Sequence, residues 1–163
     1  MKMRRRFFAP VVLSLLVGIM GGLVCGGTSA LAAPSSVVIS IGGTVDGLPE
    51  SVTFSGLAHV RSTVVRDPDF GSPPAVILAI DFLNVSGIGL STGSKYVSGA
   101  DDYVIRVLRP SDAIDVTFAF FPRGAGGFLS ARSAVASFTL TFDNTGKLTS
   151  GTATISTPNI PLD

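Results

Sequence analysis

The chain has few of the residues that build metal, redox and nucleic-acid sites. It contains one cysteine, Cys25, and one histidine, His59, among 163 residues. A lone histidine without cysteine partners does not supply the ligand set of a zinc site. Beyond residues 2–6, the remaining 8 basic and 11 acidic residues are scattered along the chain, whereas nucleic-acid binding needs a concentrated cationic surface. We therefore expect no cofactor and no nucleic-acid partner.

Aromatic residues other than phenylalanine are also scarce. The chain has no tryptophan, and its two tyrosines are Tyr96 and Tyr103. Transmembrane barrels carry girdles of aromatic side chains at both membrane interfaces. The composition therefore disfavours a membrane protein built from strands.

The first 32 residues have the features of an export signal. Lys2 and the arginines at 4–6 form a cationic start, residues 7–24 are apolar, and Ala30-Leu31-Ala32 fits the small-x-small rule for signal cleavage. We predict cleavage after Ala32 and a secreted or periplasmic protein with no stable membrane span afterwards. A retained membrane anchor stays open as an alternative, because the apolar segment approaches the length that spans a bilayer.

Two details of this segment bear on the export route. Arg4-Arg5 followed by Phe7-Phe8 resembles the twin-arginine signal of bacteria. Cys25 resembles the lipidated cysteine of a bacterial lipoprotein, but Val24 stands directly before it, where such proteins require a small residue. We therefore expect no lipidation. Cleavage would leave a chain without any cysteine, and hence without disulfides.

Residues 33–163 are expected to form a single all-β domain, because apolar and polar side chains alternate along much of their length. The alternation is clearest in residues 52–64, 114–120 and 136–142. A period of two is typical of half-buried antiparallel strands. We predict one antiparallel β-sandwich of about seven or eight strands. A small closed β-barrel is the alternative, because periodicity alone does not separate the two architectures.

Two local patterns refine this prediction. Residues 75–83, with the sequence AVILAIDFL, are apolar almost throughout, which predicts a central strand covered on both faces. The segment Asp143-Asn144-Thr145-Gly146 separates two strand patterns near the C-terminus. Its asparagine and glycine accept the backbone angles of a tight turn, which predicts a hairpin there.

The segment before the apolar strand contains two carboxylates, Asp67 and Asp69. Their spacing resembles the start of a calcium loop, but residues 70–78 supply only one further side-chain oxygen, that of Ser72. A turn that ends at Pro73-Pro74 accounts for the same residues. We favour the turn and keep the two aspartates as candidate metal ligands.

The segment Gly89-Leu90-Ser91-Thr92-Gly93 matches the Gly-x-Ser-x-Gly signature of the hydrolase nucleophile elbow. His59 is the one histidine that could serve Ser91 as a base. The elbow requires a helix directly after its serine, and residues 94–104 show no helical periodicity. We expect a polar loop and no catalytic site, with Ser91 and His59 as the residues of an alternative serine hydrolase.

Residues 120–132, FFPRGAGGFLSAR, form the most suggestive surface feature. Phe121 lies on the outward parity of its strand, Arg123 lies between a proline and a glycine, and Phe128 follows a run of glycines. Exposed aromatic and arginine side chains on a loop are typical of partner-binding surfaces, so these three are the predicted binding residues. In the alternative, which we favour, Phe121 and Phe128 close one end of the core, because aromatic burial is strongly stabilising.

The sequence thus favours an exported, non-enzymatic β-domain that acts through its surface on a protein or another component of the envelope, matrix or cell contact. Two alternatives stay open. The first is a small carrier that holds an apolar ligand or lipid in its core or under residues 121–128. The second is the minimal serine hydrolase that would use Ser91 and His59.

Overall fold

The computed structural model describes residues 30–31, 34–66, 74–124 and 126–159 of the chain. The predicted cleavage site after Ala32 and the candidate metal ligands Asp67 and Asp69 lie outside these residues. A short 3-10 helix, Gly127–Ser130, is the one helix among them. The strands are β1 (Ala30–Leu31), β2 (Ser35–Val45), β3 (Val52–Arg66), β4 (Ala75–Gly89), β5 (Lys95–Ser98), β6 (Asp101–Val107), β7 (Ser111–Pro122), β8 (Arg132–Phe142) and β9 (Leu148–Ser156).

The alternating sequence patterns fold as half-buried antiparallel strands, as predicted. In β3, the apolar residues Val52, Phe54, Ala58 and Val60 are buried, and the residues between them are at least partly exposed. β7 and β8 follow the same period, with Phe118, Phe120, Phe138 and Phe142 on the buried side. Each of these strands therefore places one side-chain row inside the protein and one outside.

The strands close into a barrel. Seven of them form a ring in the order β3-β2-β9-β8-β7-β5-β4, and a long β3–β4 ladder from Val52↔Gly89 to Val65↔Ala75 completes it. The all-β prediction is confirmed, and the fold is the closed barrel given as the alternative to a two-sheet sandwich. The β3–β4 pairing distinguishes the barrel from the sandwich, because it closes the strand order into a ring in which every strand has a paired neighbour on each side. β1 and β6 lie outside the ring.

The closing seam between the first and last strands of the ring is parallel. An up-and-down ring with an odd number of strands returns to its start in the same direction, so β2 and β9 are the one parallel pair among the described strands. Their ladder contact is Gly43↔Ile155. A Cβ at Gly43 would clash with the backbone carbonyl of Ile155, so the close approach at this seam requires glycine.

β4 is shared between two partners along its length. Its first half pairs with β6 from Ala75↔Val107 to Asp81↔Asp101, and its second half pairs with β5 at residues 86–88. A bulge separates the halves, where Asn84 takes a positive φ of 55°. β4 is central as predicted, but one face is only half-covered, since Ile77 on its outer side is partly exposed.

The barrel interior is filled by aromatic side chains. The rings of Phe54 and Phe120 lie 4.9 Å apart, and those of Phe82 and Phe118 lie 5.1 Å apart, both in edge-to-face arrangements. Phe138 continues this cluster beside Phe82. Contacts of this kind stabilise a core beyond the burial of area alone. The inner space of this narrow barrel is therefore occupied by the protein's own side chains.

The hairpin predicted at Asp143 is confirmed. It connects β8 to β9, which pair antiparallel over nearly their whole length. The Asp143 carboxylate accepts hydrogen bonds from the backbone N–H groups of Thr145 and Lys147 at 2.8 and 2.9 Å. Gly146 takes a φ of 88°, which is the left-handed conformation that made a glycine informative in the sequence.

Candidate functional site

Three loops meet at one end of the barrel, which we call the Glu50 end. They are the β2–β3 connection (residues 46–51), the β4–β5 connection (residues 90–94) and the β7–β8 connection (residues 123–131). Alternate connections of an antiparallel ring lie at the same end, so this grouping follows from the topology. Hydrogen bonds join the first two connections to each other, and Arg132, which directly follows the third, donates to the first.

The centre of this end is the carboxylate of Glu50, a residue with only 7% of its surface exposed. Its Oε2 accepts hydrogen bonds from the backbone N–H groups of Ser91 and Thr92 at 3.0 and 2.9 Å. Its Oε1 accepts the hydroxyl groups of Thr92 and Tyr96 at 2.7 and 3.0 Å. Four donors therefore compensate the loss of water around one buried charge.

The same contacts shift two pKa values in opposite directions. The hydrogen bond from the Thr92 hydroxyl, together with the backbone N–H groups and Tyr96, outweighs burial and lowers the pKa of Glu50 from its ordinary value of 4.5. Burial, followed by the hydrogen bond to Glu50, raises the pKa of Tyr96 above 10.0. Both groups thus keep the charge state that suits their hydrogen bond: an ionised acceptor and a protonated donor.

The Gly-x-Ser-x-Gly segment, residues 89–93, surrounds the Glu50 carboxylate, and we call this contact the clasp. A Cβ at Gly89 would clash with the Glu50 carboxylate, so glycine is needed for the close approach. Gly93 has a φ of 70° and donates its N–H to the carbonyl of Gly89 at 2.9 Å. The two glycines of the signature therefore shape a tight turn whose central N–H groups, those of Ser91 and Thr92, face the carboxylate.

Arg132, the first residue of β8, connects the β2–β3 loop to β8. It donates to the backbone carbonyls of Glu50 and Asp46 at 2.7 and 2.8 Å. Its guanidinium also lies 5.0 Å from the centre of the Phe120 ring, within the range of a cation–π interaction. Glu50 joins the β2–β3 and β4–β5 connections, and Arg132 joins the β2–β3 connection to the start of β8; we call these contacts the frame.

The structure does not bring Ser91 and His59 together. His59 lies on β3 opposite Asp81, and Ser91 follows the end of β4 at Gly89. Asp81 and Gly89 are eight residues apart along β4, which corresponds to roughly 26 Å of strand. The backbone N–H of Ser91 holds Glu50, and the residue itself is exposed.

The predicted binding residues lie at the Glu50 end but differ in exposure. Phe128 is 66% exposed on the short helix, next to Leu129 at 80%. Phe121 is half-buried beside Gly127. Arg123 is exposed, and its backbone N–H donates to the carbonyl of Lys95 at 2.8 Å, which ties the β7–β8 connection to β5. Phe128 therefore points away from the core, whereas Phe121 partly covers it.

Two further loop tips, which the sequence did not single out, carry exposed apolar side chains. Leu48 in the β2–β3 loop is 89% exposed, and Leu90 in the β4–β5 loop is 62% exposed. We call Leu48, Leu90, Phe128 and Leu129 the apolar crown. A leucine in a loop is not informative by itself, because its neighbours in space come from other loops. All four lie on connections at the same end of the barrel, and exposed apolar patches mark interaction surfaces more often than single apolar side chains do.

Glu50 and Arg132 were also missed, although the sequence held a signal for Glu50. It is the one glutamate in the whole chain, whereas the other ten acidic residues are aspartates. Glutamate has the longer side chain, and this one reaches from the β2–β3 loop to the β4–β5 turn. Arg132 had no comparable signal, because its acceptors are backbone carbonyls more than 80 positions away.

Among the described residues, no group of three or more histidine, cysteine, aspartate or glutamate side chains is arranged to hold a metal ion. No helix in that part of the chain is both long and apolar enough to cross a membrane. No protein-family model matches the chain, and neither a curated protein nor a solved structure matches it significantly.

Proposed function

We propose that this protein is an exported, non-enzymatic binding domain whose contact surface is the apolar crown at the Glu50 end. The observation that carries this proposal is the placement of four exposed apolar side chains on three loops at the end of the barrel where the frame lies. An apolar group of this size on a loop end is costly to expose unless a partner covers it.

The frame supports binding because it limits the conformational entropy that the loops lose on association. The clasp around Glu50 holds the turn that carries Leu90, and Arg132 holds the loop that carries Leu48. Loops that are already held in one conformation pay a smaller entropic cost when a partner orders their side chains. Glu50 and Arg132 therefore act as positioning residues for the crown.

Charge indicates the kind of partner. Lys95 directly follows the β4–β5 connection and Arg123 begins the β7–β8 connection. Both are exposed, and they line a cleft of about 240 Å³ together with the exposed Ile88. Cations next to an apolar surface favour a partner with an apolar patch and an acidic border. We propose a surface protein or another envelope component of that character. This agrees with the export signal predicted from residues 1–32.

The other two functions stay predictions that no specific observation favours. A carrier would need room for an apolar ligand, and the described barrel interior is filled by phenylalanine side chains. A hydrolase would need Ser91 and His59 in contact, and they lie at distant points of the β3–β4 ladder. The apolar crown supports a binding role with side chains that are already exposed in the structure.

The test compares crown variants with a matched surface control. Phe128→Ser and Leu129→Ser are combined in one variant, and Val38→Ser serves as the control, because Val38 is also exposed, at 60%, but lies on the wall of the barrel. Binding of each tagged protein to envelope preparations of its native host is measured by cross-linking and mass spectrometry. The crown variant should lose the cross-linked partner while its thermal unfolding stays unchanged.

Equal recovery of the same partner by wild type, crown variant and control would contradict the proposal. Addition of Leu48→Ser to the crown variant provides a second reading, since it changes a different loop of the same surface. Incubation with fluorophosphonate probes tests the enzymatic alternative directly. Labelling that disappears in Ser91→Ala would replace a binding role with a hydrolase.

A further inference from the structure

β6 has one free edge in the described part of the protein. It pairs with β4 on one side, while β5, which precedes it, pairs with β7. The described residues contain no ladder between β6 and β7, although only residues 108–110 connect them. An unpaired strand edge offers backbone N–H and C=O groups to another strand.

The hydrogen-bond pattern shows which residues of β6 face this free edge. Phe82 donates to the carbonyl of Ala100, and Leu108 donates to the carbonyl of Pro74, both within the register of the β4–β6 ladder. Even-numbered residues of β6 therefore bond to β4, and odd-numbered ones point away from it. Consistent with this, the N–H of Tyr103 bonds to the side chain of Asp102 at 2.8 Å and not to β4.

We propose that β6 pairs with β6 of a second copy of this chain, antiparallel and around a two-fold axis at Val104. In this register Tyr103 lies opposite Ile105 of the second copy, and Asp101 lies opposite its Val107. These are odd-numbered residues, so the groups that face the free edge are those that the register pairs. In the dimer the N–H of Tyr103 exchanges its contact with Asp102 for one with the carbonyl of Ile105 of the second copy. A two-fold axis repeats every contact and leaves both β6 edges satisfied.

Charge complementarity selects this register. It places Asp102 directly opposite Arg106 of the second copy, on one face of the new sheet, and the two-fold axis makes a second such pair. A shift by two residues in either direction would instead oppose Val104 to one of these charges. The Nε of Arg106 lies 3.8 Å from Asp112 Oδ2, beyond hydrogen-bond length, so its guanidinium has donors to offer.

The other face of β6 contributes an apolar surface. Tyr103 and Ile105 are 67% and 72% exposed, and Val107 is 50% exposed. The outer face of β4 continues this surface with the partly exposed Ile77 and Ala79. Cross-strand contact of Tyr103 with Ile105 of the second copy would cover part of it twice, since aromatic and β-branched pairs stabilise antiparallel sheets.

The test measures self-association of the purified protein by analytical ultracentrifugation over a concentration series. The wild-type protein should sediment as a reversible dimer, weakened by salt because two charge pairs contribute. Asp102→Arg should weaken dimerisation at least about tenfold, because it opposes two pairs of like charges. The exchange of both residues in Asp102→Arg/Arg106→Asp should restore it.

Two further variants separate the edge from general effects. Ile105→Pro removes an N–H that faces the free edge and leaves the β4 ladder intact, so this variant should be a folded monomer. Thr152→Arg introduces the same side chain as Asp102→Arg, but at an exposed strand position on β9, and should dimerise like wild type. Circular dichroism confirms that each variant is folded.

A wild-type protein that stays monomeric would overturn the proposal in either of two forms. One is a monomer at all concentrations with rapid hydrogen exchange at Ile105 and Val107, which means that the edge is open to water. The other is a monomer with slow exchange there, which means that another part of the same chain covers β6. A dimer that survives Ile105→Pro would equally exclude β6 as its interface.

Discussion

Thr92 holds the carboxylate of Glu50 with two separate groups, its backbone N–H at 2.9 Å from Oε2 and its hydroxyl at 2.7 Å from Oε1. One residue of the β4–β5 turn thus contacts both oxygens of the single glutamate in the chain. This contact joins two loops that carry members of the apolar crown.

The clasp predicts a specific loss of stability in acid. The folded-state pKa of Glu50 lies below its ordinary value of 4.5, so the ionised carboxylate contributes stability above pH 4.5. This contribution is lost as the pH falls from 4.5 through the folded-state pKa. Thermal unfolding between pH 6 and about pH 2 should show a weaker pH dependence for Glu50→Gln than for the wild type.

Asp143 offers an internal comparison, because the Thr145 hydroxyl lowers its pKa as well. Glu50→Gln/Asp143→Asn should therefore flatten the acid response further than either single change. If Glu50→Gln kept the full pH dependence of the wild type, the ionised Glu50 carboxylate would not be the source of this acid-sensitive stability.

The close approach of Gly89 to Glu50 predicts a strongly non-additive pair. Gly89→Ala places a methyl group against the carboxylate and should cost about 1–3 kcal/mol of unfolding free energy, as overpacked sites do. In a Glu50→Ala background the same change meets no carboxylate and should cost much less. Urea unfolding of the wild type, both single variants and the double variant gives the coupling. Independent, additive effects would contradict the clash.

Replacement by alanine should lower the stability strongly at one phenylalanine and hardly at all at another. Phe54 is 2% exposed and contacts Phe118 and Phe120, so Phe54→Ala should cost about 3–5 kcal/mol. Phe128 is 66% exposed, and Phe128→Ala should change stability by less than about 0.5 kcal/mol. Chemical denaturation measures both. A large loss at Phe128 would place it in the core and remove it from the proposed contact surface.

The N-terminus of the exported protein can be determined by mass spectrometry. Cleavage after Ala32 predicts a mature chain that begins at Ala33. Ala30 and Leu31 pair with Arg66 and Val65 in the full chain, so this cleavage would remove a two-residue addition to β3. An intact N-terminus on membrane-associated protein would instead support the retained anchor.

Much of the fold could be predicted because its signals are local. Val52, Phe54 and Val60 share one face as soon as residues 52–64 are extended, whatever the strand pairs with. Asp143 and Gly146 indicate a turn through their own backbone preferences. The sandwich and the barrel could not be separated in this way, since the deciding contact joins Val52 to Gly89 across the β3–β4 ladder.

The candidate site was less predictable, for the same physical reason. The Gly-x-Ser-x-Gly segment indicated a loop in the sequence. Its contact with Glu50, which only the structure shows, reveals that this loop binds a carboxylate. Phe128 was visible as an aromatic residue on a glycine-rich loop. Leu48 and Leu90 became significant only when the fold placed their loops at the same end of the barrel.

By itself, the sequence determined the strands, their inner faces and the main turns, because these depend on alternation and on the conformations that individual residues accept. The tertiary structure alone decided the closure of the ring, the burial of Glu50 beneath the 90–94 turn and the free edge of β6. Each of these depends on which distant segments meet, and that choice is made by the packing of the whole core.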